Sequence, residues 1–133
     1  MPVSVEAEAF MREWDDKYDD TVQYYPYSTP DKAMRFTTIG ELMRAVESSG
    51  STYFGAAEKR FFRSKIYGSL YGGRFFVSSE KADDDSPRLY SVCYVYDYGD
   101  GGRLQIEKLG GFQRFDTLDK ARRVAQKAAR VLG

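Results

Sequence analysis

The spacing of hydrophobic residues predicts a helix at the start of the chain, over residues 5–18. Apolar positions recur there every three or four residues, as on one face of a helix, at Val5, Ala9, Phe10, Trp14 and Tyr18. Pro26 and Pro30 follow, and a proline favours an extended conformation in the residue before it. We therefore expect residues 1–36 to form a helix and an extended arm beside a compact domain over residues 37–133.

Two further helices are predicted in the next part of the chain. Thr38 and Glu41 have the spacing of a capping box, and the helix that begins there should end at Gly50, because glycine tolerates the left-handed conformation of a helix end. A second, shorter helix is predicted over residues 56–66, with Phe62 and Ile66 facing inward.

From Gly72 onward the hydrophobic pattern changes to a period of two, which is typical of strands. Three segments show it, GRFFVSSEK, RLYSVCYVYDY and RLQIEKL, and the turn residues ADDDSP and GDGG separate them. These short connections favour an antiparallel meander. After Gly110 and Gly111, the segment FQRFD could resume pairing past a bulge, which would add a short fourth strand.

The loop between the last two of these strands contains aspartates and glycines, so it is either an ion site or a turn. Counting from Asp97, glycines stand at the third and fifth positions, where a calcium-binding loop of the EF-hand type needs oxygen ligands. Asp100-Gly101 is instead a strong hairpin signal, because both residues tolerate a positive φ. The sequence favours a turn.

The last helix should begin at Thr117, and its apolar residues form one stripe that fits against a sheet, at Leu118, Ala121, Val124, Ala125, Ala128 and Leu132. Together these elements predict an α+β fold. A three-stranded antiparallel sheet would pack against the C-terminal helix, and the other helices and the N-terminal helical arm would complete the cover.

Composition narrows the possible chemistry, because the 133 residues include no histidine and one cysteine. The chain therefore lacks the commonest general base and the commonest transition-metal ligand. Cys93 lies in an apolar run and is expected to be a buried hydrophobic residue rather than a nucleophile. We predict no enzyme activity, no cofactor and no metal site. We also expect a cytoplasmic protein without membrane contact, since no long apolar run or signal-peptide pattern is present.

Two groups of acidic and aromatic residues are candidates for binding a protein partner. The first group lies in the arm and comprises Asp15, Asp16, Asp19, Asp20, Tyr24, Tyr25 and Tyr27. The second lies on one side of the middle strand and comprises Tyr94, Tyr96 and Tyr98. Tyrosines are frequent at interfaces, but the strand tyrosines could equally be half-buried core under the arm and the helices of residues 38–66. The arm could also wrap a second copy of the chain.

Two basic groups are candidates for binding nucleic acid, and each lies on a predicted helix. They comprise Lys59, Arg60, Arg63 and Lys65, and Lys120, Arg123, Lys127 and Arg130. The second group follows a spacing of three, four and three residues and therefore lines one edge of its helix. Such a row is either an ordinary solvated face or a phosphate-binding surface. Binding becomes a stronger interpretation if the two groups share a face.

The segments STYFGAAEKRFFRSKIYGSLYGGRFFVSSEK, RLYSV and FQRFDTLDKA resemble an uncharacterised family of small proteins of bacteriophages and plasmids. The resemblance covers residues 37–130 and implies a mobile-element origin with an accessory role. Separately, LGGFQRFDTLDKARRVAQKAA is similar to the strand-to-helix junction of plant AP2 DNA-binding domains, a short likeness that serves only as analogy. The sequence thus predicts a non-enzymatic accessory protein that binds, and modulates or inhibits, a host protein, with nucleic-acid binding as the alternative.

Overall fold

The computed structural model describes residues 4–14, 29–99 and 101–132. The α+β class is confirmed. The helices are α1 (Val5–Trp14), α2 (Ile39–Ser48), α3 (Ala56–Phe62) and α4 (Leu118–Leu132), and a short 3-10 helix spans Pro30–Lys32. The strands are β1 (Lys65–Ile66), β2 (Phe76–Glu80), β3 (Leu89–Tyr96) and β4 (Gln105–Leu109).

The strands form one antiparallel sheet in the order β1-β2-β3-β4, so the predicted meander is confirmed and gains a strand at one edge. Central pairs fix the register, with Val92 opposite Val77 and Leu109, and Cys93 opposite Phe76 and Lys108. Beyond β4, Phe115 and Tyr90 exchange backbone hydrogen bonds of 2.8 and 3.0 Å in an isolated bridge. The segment after Gly111 therefore resumes pairing as one bridge, and the fourth strand lies elsewhere.

The fourth strand is β1, and it occupies the end of the segment that was predicted to be a helix over residues 56–66. The predicted helix was therefore too long. Helix α3 ends at Phe62 because Arg63 adopts a left-handed conformation with φ of 50°. The chain then turns extended, and Lys65 and Ile66 pair with β2. Ile66 packs inward as predicted, but from a strand rather than from a helix. Phe62 was also predicted to face inward, but it is 38% exposed.

One face of the sheet, here called the α4 face, is covered by α4 and α1. Its core includes Phe75, Val77, Val92 and Leu109 from the strands. The predicted stripe of α4 is confirmed against it, with Ala121, Ala125, Ala128 and Leu132 buried. A Thr117 hydroxyl accepts a hydrogen bond of 3.2 Å from Lys120 N–H at the start of the helix, which satisfies a helix-end donor.

Helix α1 packs on this face with a side that is rotated from the predicted one but shares Phe10 and Trp14 with it. Ala7, Phe10 and Met11 are buried, whereas Val5 is 84% exposed. The inner side is centred between Ala7 and Met11, and it takes in Trp14 as a partly buried neighbour. The described part of the arm thus contributes to the same core as the rest of the chain. Residues 15–18 of the predicted helix lie outside the described residues.

The opposite face, here called the α2 face, is covered by α2 and the segment that follows it. Leu42, Val46 and Phe54 pack there against Phe76 and Val95. The predicted helix start is confirmed, because Glu41 N–H donates to the Thr38 hydroxyl at 3.1 Å. The Glu41 carboxylate in turn accepts from Thr37 N–H at 3.0 Å. Gly50 ends the helix with φ of 99°, also as predicted.

A tight turn at Gly72 and Gly73 leads the chain into β2 and beneath α4. Both glycines have positive φ, of 61° and 73°. A Cβ at Gly72 would lie 2.8 Å from the Ala129 Cβ, and one at Gly73 would lie 2.9 Å from the Phe36 carbonyl oxygen. A side chain at Gly72 would push the turn away from α4, and one at Gly73 would push it away from Phe36, so Gly72 allows the close approach of the helix.

Candidate functional site

The predicted acidic and aromatic group of the arm lies outside the described residues, so its role in binding stays a prediction. Its members are Asp15, Asp16, Asp19, Asp20, Tyr24, Tyr25 and Tyr27. Asp100 of the predicted turn also lies outside them. On either side of Asp100, Gly99 and Gly101 have positive φ, and β3 and β4 pair as in a hairpin.

The tyrosines of β3 are mostly core residues of the α4 face. Tyr94 is 3% exposed, and its ring meets Phe75 edge-on at 5.9 Å. Tyr96 and Tyr98 are half-buried, and their rings are 4.7 Å apart. This face is covered by α1 and α4, not by the helices of residues 38–66 as expected, because those helices pack on the other face. Burial removes Tyr94 from any exposed surface.

The basic residues of α4 are engaged within the chain. Lys120 pairs with Asp116 at 2.9 Å, and Arg123 pairs with Asp119 at 2.6 Å. Further along, Arg130 pairs with Glu6 of α1 at 3.0 Å, and Lys127 lies 5.9 Å from the centre of the Phe10 ring. These contacts are typical of a solvated helix face with i, i+4 pairs. They leave little unpaired charge for phosphate.

The basic residues around α3 do not form one surface with those of α4: Lys59 borders the α2 face, whereas Lys65 is opposite Ser79 and extends towards the α4 face at the β1 edge. Arg63 pairs with Asp84 at 2.8 Å, and Lys65 lies 5.2 Å from the centre of the Tyr67 ring. Lys59 and Arg60 have no ion-pair partner among the described residues. Of the predicted phosphate contacts, these two therefore carry the charge most available to a partner.

Beside them lies an exposed group of three phenylalanines, here called the aromatic patch, which the sequence analysis did not identify. Phe61 is 74% exposed, Phe112 is 51% exposed and Phe62 is 38% exposed. The ring of Phe62 meets Phe61 at 4.8 Å and Phe112 at 6.4 Å. The available signal was two adjacent phenylalanines on a short helix, since neighbouring residues on a helix cannot both face inward.

Behind the aromatic patch, a buried polar cluster occupies the end of the α2 face nearest α3. Its members are Ser78 and Glu80 of β2, Cys93 of β3, Lys108 of β4 and Tyr53 from the segment before α3. Strand alternation places the strand residues on one side of the sheet. The Ser78 hydroxyl donates to Glu80 Oε1 at 3.2 Å and lies 3.4 Å from Cys93 Sγ. Lys108 donates to Cys93 Sγ at 3.2 Å and to the Tyr53 hydroxyl.

Glu80 is the exceptional member of this cluster. Its side chain is 3% exposed in a residue type that is almost never fully buried unless it is paired. Among the described residues, its buried Oε2 atom has no hydrogen-bond partner. A buried acceptor without a partner costs about 1–3 kcal/mol, and such atoms call for an explanation.

Burial also sets the protonation of the cluster. Desolvation raises the pKa of the Glu80 carboxyl above its ordinary value, against the opposing effects of Lys108, Ser78 and Arg88. Desolvation also raises the pKa of the Tyr53 hydroxyl, which stays protonated at neutral pH. For Lys108, burial lowers the pKa, whereas electrostatic coupling to Cys93 and Tyr53 and hydrogen bonds to both raise it, with a net upward shift. The hydrogen bonds act on neutral partners as well, and they favour the ammonium form at neutral pH.

A pocket of about 230 Å³ connects the polar cluster to the aromatic patch, here called the Glu80 pocket. Glu80, Lys108 and Tyr53 line it on the inside, and Phe62, Phe112 and Lys59 are among the residues nearer the surface. A larger depression of about 510 Å³ lies between Trp14, Phe115 and α4. It borders Trp14, the last residue described before residue 29, and its cations are Lys120 and Arg123, which are paired, and Arg114, which lies 5.3 Å from the centre of the Trp14 ring.

Two properties of the described residues bear on chemistry. Residues 4–14, 29–99 and 101–132 contain no group of three or more Cys, Asp and Glu side chains placed to hold a metal ion. Within the same ranges, every helix is too short or too polar to span a bilayer. The arrangement on the α2 face suits binding: hydrogen-bonding groups lie inside a pocket and aromatic rings surround its mouth.

Comparison with known proteins gives one family. Residues 38–126 match the model of a family described as "Family of unknown function (DUF7447)". The match spans α2, α3, the whole sheet and the first part of α4, and so it includes both the aromatic patch and the Glu80 pocket. No curated protein and no solved structure matches the chain significantly. Since the family model covers well over half of the 133 residues, the chain belongs to this family of unknown function.

Proposed function

We propose that this protein is a non-catalytic accessory protein of a mobile genetic element, and that it binds and modulates a host protein in the cytoplasm through the aromatic patch. The observation that carries the proposal is the exposure of Phe61, Phe62 and Phe112 side by side. Clustered exposed aromatic residues are unfavourable in water and mark interaction surfaces. Aromatic anchors also dominate the binding energy of many protein interfaces.

Charge around the patch indicates what kind of partner would fit. Lys59 and Arg60 lie on the same short helix as Phe61 and Phe62, and neither is paired among the described residues. A partner with an apolar centre and an acidic rim would match both features, and the rim charges would speed association. The acidic arm is a second surface that could contribute, and its role stays a prediction.

The test compares partner capture by variants of the tagged full-length chain in host cells. We expect the wild-type chain and a Val5→Ser variant to capture the same protein, and a Phe61→Ser, Phe112→Ser double variant to lose it. Val5 is a matched control because it is also an exposed apolar residue, but it lies on α1, on the other face of the sheet. Equal capture by all three chains would contradict the proposal.

The arm needs a test by substitution rather than by deletion. Removing residues 1–36 would also remove Ala7, Phe10 and Met11 from the core of the α4 face. A variant with Asp15, Asp16, Asp19 and Asp20 all changed to Asn keeps that core and removes four negative charges. Loss of the partner in this variant alone would place the interface on the arm instead of the aromatic patch.

Single-stranded nucleic acid is the second candidate ligand for the same surface. Unpaired lysine and arginine beside exposed aromatic rings is the combination on which bases stack and phosphates bind. This function predicts that a labelled single-stranded DNA binds at low salt, releases as salt is added, and no longer binds a Lys59→Glu, Arg60→Glu variant. Absence of binding at low salt would remove this candidate.

A further inference from the structure

The Glu80 pocket is sized for a single side chain. Its volume is about 230 Å³, below the roughly 300–1,000 Å³ of pockets that hold drug-sized ligands. Phe62 and Phe112 line it together with Glu80 and Lys108, so a side chain that enters it from the aromatic patch would leave its backbone on that patch. The pocket is therefore placed to receive an anchor residue of whatever protein covers that patch.

The inner end of the pocket offers both a hydrogen-bond acceptor and a charged donor. Glu80 Oε2 is buried and lacks a partner among the described residues, while Glu80 Oε1 already accepts from Ser78. Lys108 uses two of its three N–H donors on Tyr53 and Cys93. One acceptor atom and one ammonium donor thus remain for an entering group.

Charge restricts the group that can enter. A second cation would be repelled by the Lys108 ammonium at low dielectric, and a carboxylate would be repelled by Glu80 unless a proton were taken up. A neutral group that both donates and accepts avoids both penalties. A primary amide has this property, because its N–H can donate to Glu80 Oε2 and its carbonyl can accept from Lys108.

Ring geometry favours a narrow stem over a flat base. Phe62 stands at 79° to Phe61 and at 72° to Phe112, so a nucleobase could not be sandwiched between Phe62 and either of these neighbours. An aliphatic stem of two or three carbons can pass between edge-on rings and contact both. This is the shape of a glutamine or asparagine side chain.

We propose that the Glu80 pocket binds the primary amide of a glutamine or asparagine side chain, presented by the protein partner that covers the aromatic patch. The inference rests on the proposed function for the origin of that side chain. It goes further by naming the anchor and the atoms that recognise it, Glu80 Oε2 and Lys108 Nζ.

The binding test uses three small probes of nearly equal size on the isotope-labelled full-length chain, followed by nuclear magnetic resonance at neutral pH. The probes are the N-acetyl, N′-methylamide derivatives of glutamine, glutamate and methionine, which present a neutral amide, a carboxylate and an apolar group. We expect the glutamine probe to shift signals of Phe62 and Phe112. It should bind about tenfold more tightly than the other two probes, because one hydrogen bond to a charged group changes the affinity by about that factor. Uridine serves as a fourth probe for a base.

Two variants identify the recognising atom. Glu80→Met should fold, since it removes a buried carboxyl, and it should reduce the glutamine probe to the affinity of the methionine probe. Glu80→Gln, which keeps an acceptor at the same place, should retain the preference. Equal binding of the three probes, tighter binding of uridine, an unchanged preference in Glu80→Met, or no shift by the glutamine probe at its solubility limit would each overturn the proposal.

Failure of this inference can be told apart from failure of the proposed function. If partner capture is lost in the Phe61→Ser, Phe112→Ser variant and the glutamine probe does not bind, the aromatic patch is supported as the interface and the proposed amide site is wrong. If the glutamine probe binds with the expected preference but partner capture does not depend on the aromatic patch, the pocket is supported as an amide site and the proposed function is wrong.

Discussion

The two faces of the sheet are covered differently, and the difference separates what holds the fold together from what is free to bind. On the α4 face, apolar strand residues meet the alanine stripe of α4 and the inner side of α1. Of the buried polar residues beside this face, Ser79 accepts from Arg88 at 2.8 Å. Arg74 donates to the Leu132 carbonyl at 2.9 Å, and its buried Nε has no partner among the described residues. On the α2 face, only the end under α2 is apolar. The other end holds the polar cluster, the Glu80 pocket and the aromatic patch.

A chain selected for stability alone would not keep the second arrangement. An unpartnered buried carboxylate oxygen and three exposed phenylalanines are each unfavourable in the isolated protein. Here Glu80, Phe62 and Phe112 line one pocket, and Phe61 packs against Phe62 beside it. Natural sequences depart from the rules of folding mainly where function requires it. The α4 face is therefore the scaffold, and the α3 end of the α2 face is the part that we expect to bind a partner.

The largest expected effect is on the scaffold. Phe75 is fully buried beneath α4 and packs edge-on to Tyr94, so Phe75→Ala should reduce the free energy of unfolding by about 3–5 kcal/mol. Phe62→Ala removes the same ring from the pocket, where it is 38% exposed, and should cost less than about 1 kcal/mol. Urea unfolding followed by circular dichroism measures both. Similar losses would mean that the aromatic patch is structural.

Adjacent positions of β3 face opposite sides of the sheet, so a hydroxyl introduced at Val92 or at Cys93 compares the polarity of the two faces. Val92 lies opposite Val77 and Leu109, so the hydroxyl of Val92→Thr would have apolar neighbours and should cost about 1–3 kcal/mol. Cys93→Ser places its hydroxyl beside Ser78 and Lys108, both able to hydrogen-bond to it. It should change the stability by less than about 1 kcal/mol. Denaturant unfolding measures both variants. If both lost the same free energy of unfolding, the two faces would not differ in polarity.

Much of the scaffold could be predicted from the sequence because its signals are local. The capping box at Thr38, the apolar stripe of α4 and the alternation of the strands each depend on residues close in the chain, and each is confirmed. Strand β1 could not be predicted in this way. Its two residues are extended because they pair with β2 and because Arg63 breaks the preceding helix.

The candidate site was harder to predict because its members come from separate parts of the chain. Ser78, Ser79 and Glu80 form a polar run at the end of β2, which normally indicates the exposed end of a strand. Ser78 and Glu80 are buried because α3 and the segments around Tyr53 and Phe112 fold over that end of the sheet. For the same reason, the sequence showed two candidate basic groups but not that α3 and α4 hold most of them apart on different sides of the sheet.

A smaller and pH-dependent effect is expected at Glu80. Its pKa is raised above the ordinary 4.5 by burial, so the folded chain binds this proton more tightly than the unfolded chain does. The stability that Glu80 contributes is then fully present below pH 4.5 and is lost as the pH rises through the raised pKa. Glu80→Gln does not titrate, so it should be more stable than wild type at neutral pH, by about 1 kcal/mol.

That difference should shrink as the solution is acidified towards pH 4.5, where the wild-type carboxyl is protonated in the folded state. Thermal or urea unfolding of both chains across this range provides the measurement. A difference that stays the same from acid to neutral pH would mean that Glu80 finds a partner for its charge, and the contrast between the two faces would then be lost.

The smallest expected effect on stability belongs to the residues with the largest expected effect on binding. Phe61 and Phe112 are 74% and 51% exposed, so Phe61→Ser and Phe112→Ser remove little buried area and should each change the free energy of unfolding by about 0.5 kcal/mol or less. Solubility should rise, because two exposed rings are removed. Denaturant unfolding and capture of the partner, measured on the same samples, separate the two roles. If either variant unfolded as readily as Phe75→Ala, the aromatic patch would be part of the core, and its exposure could no longer be explained by a partner.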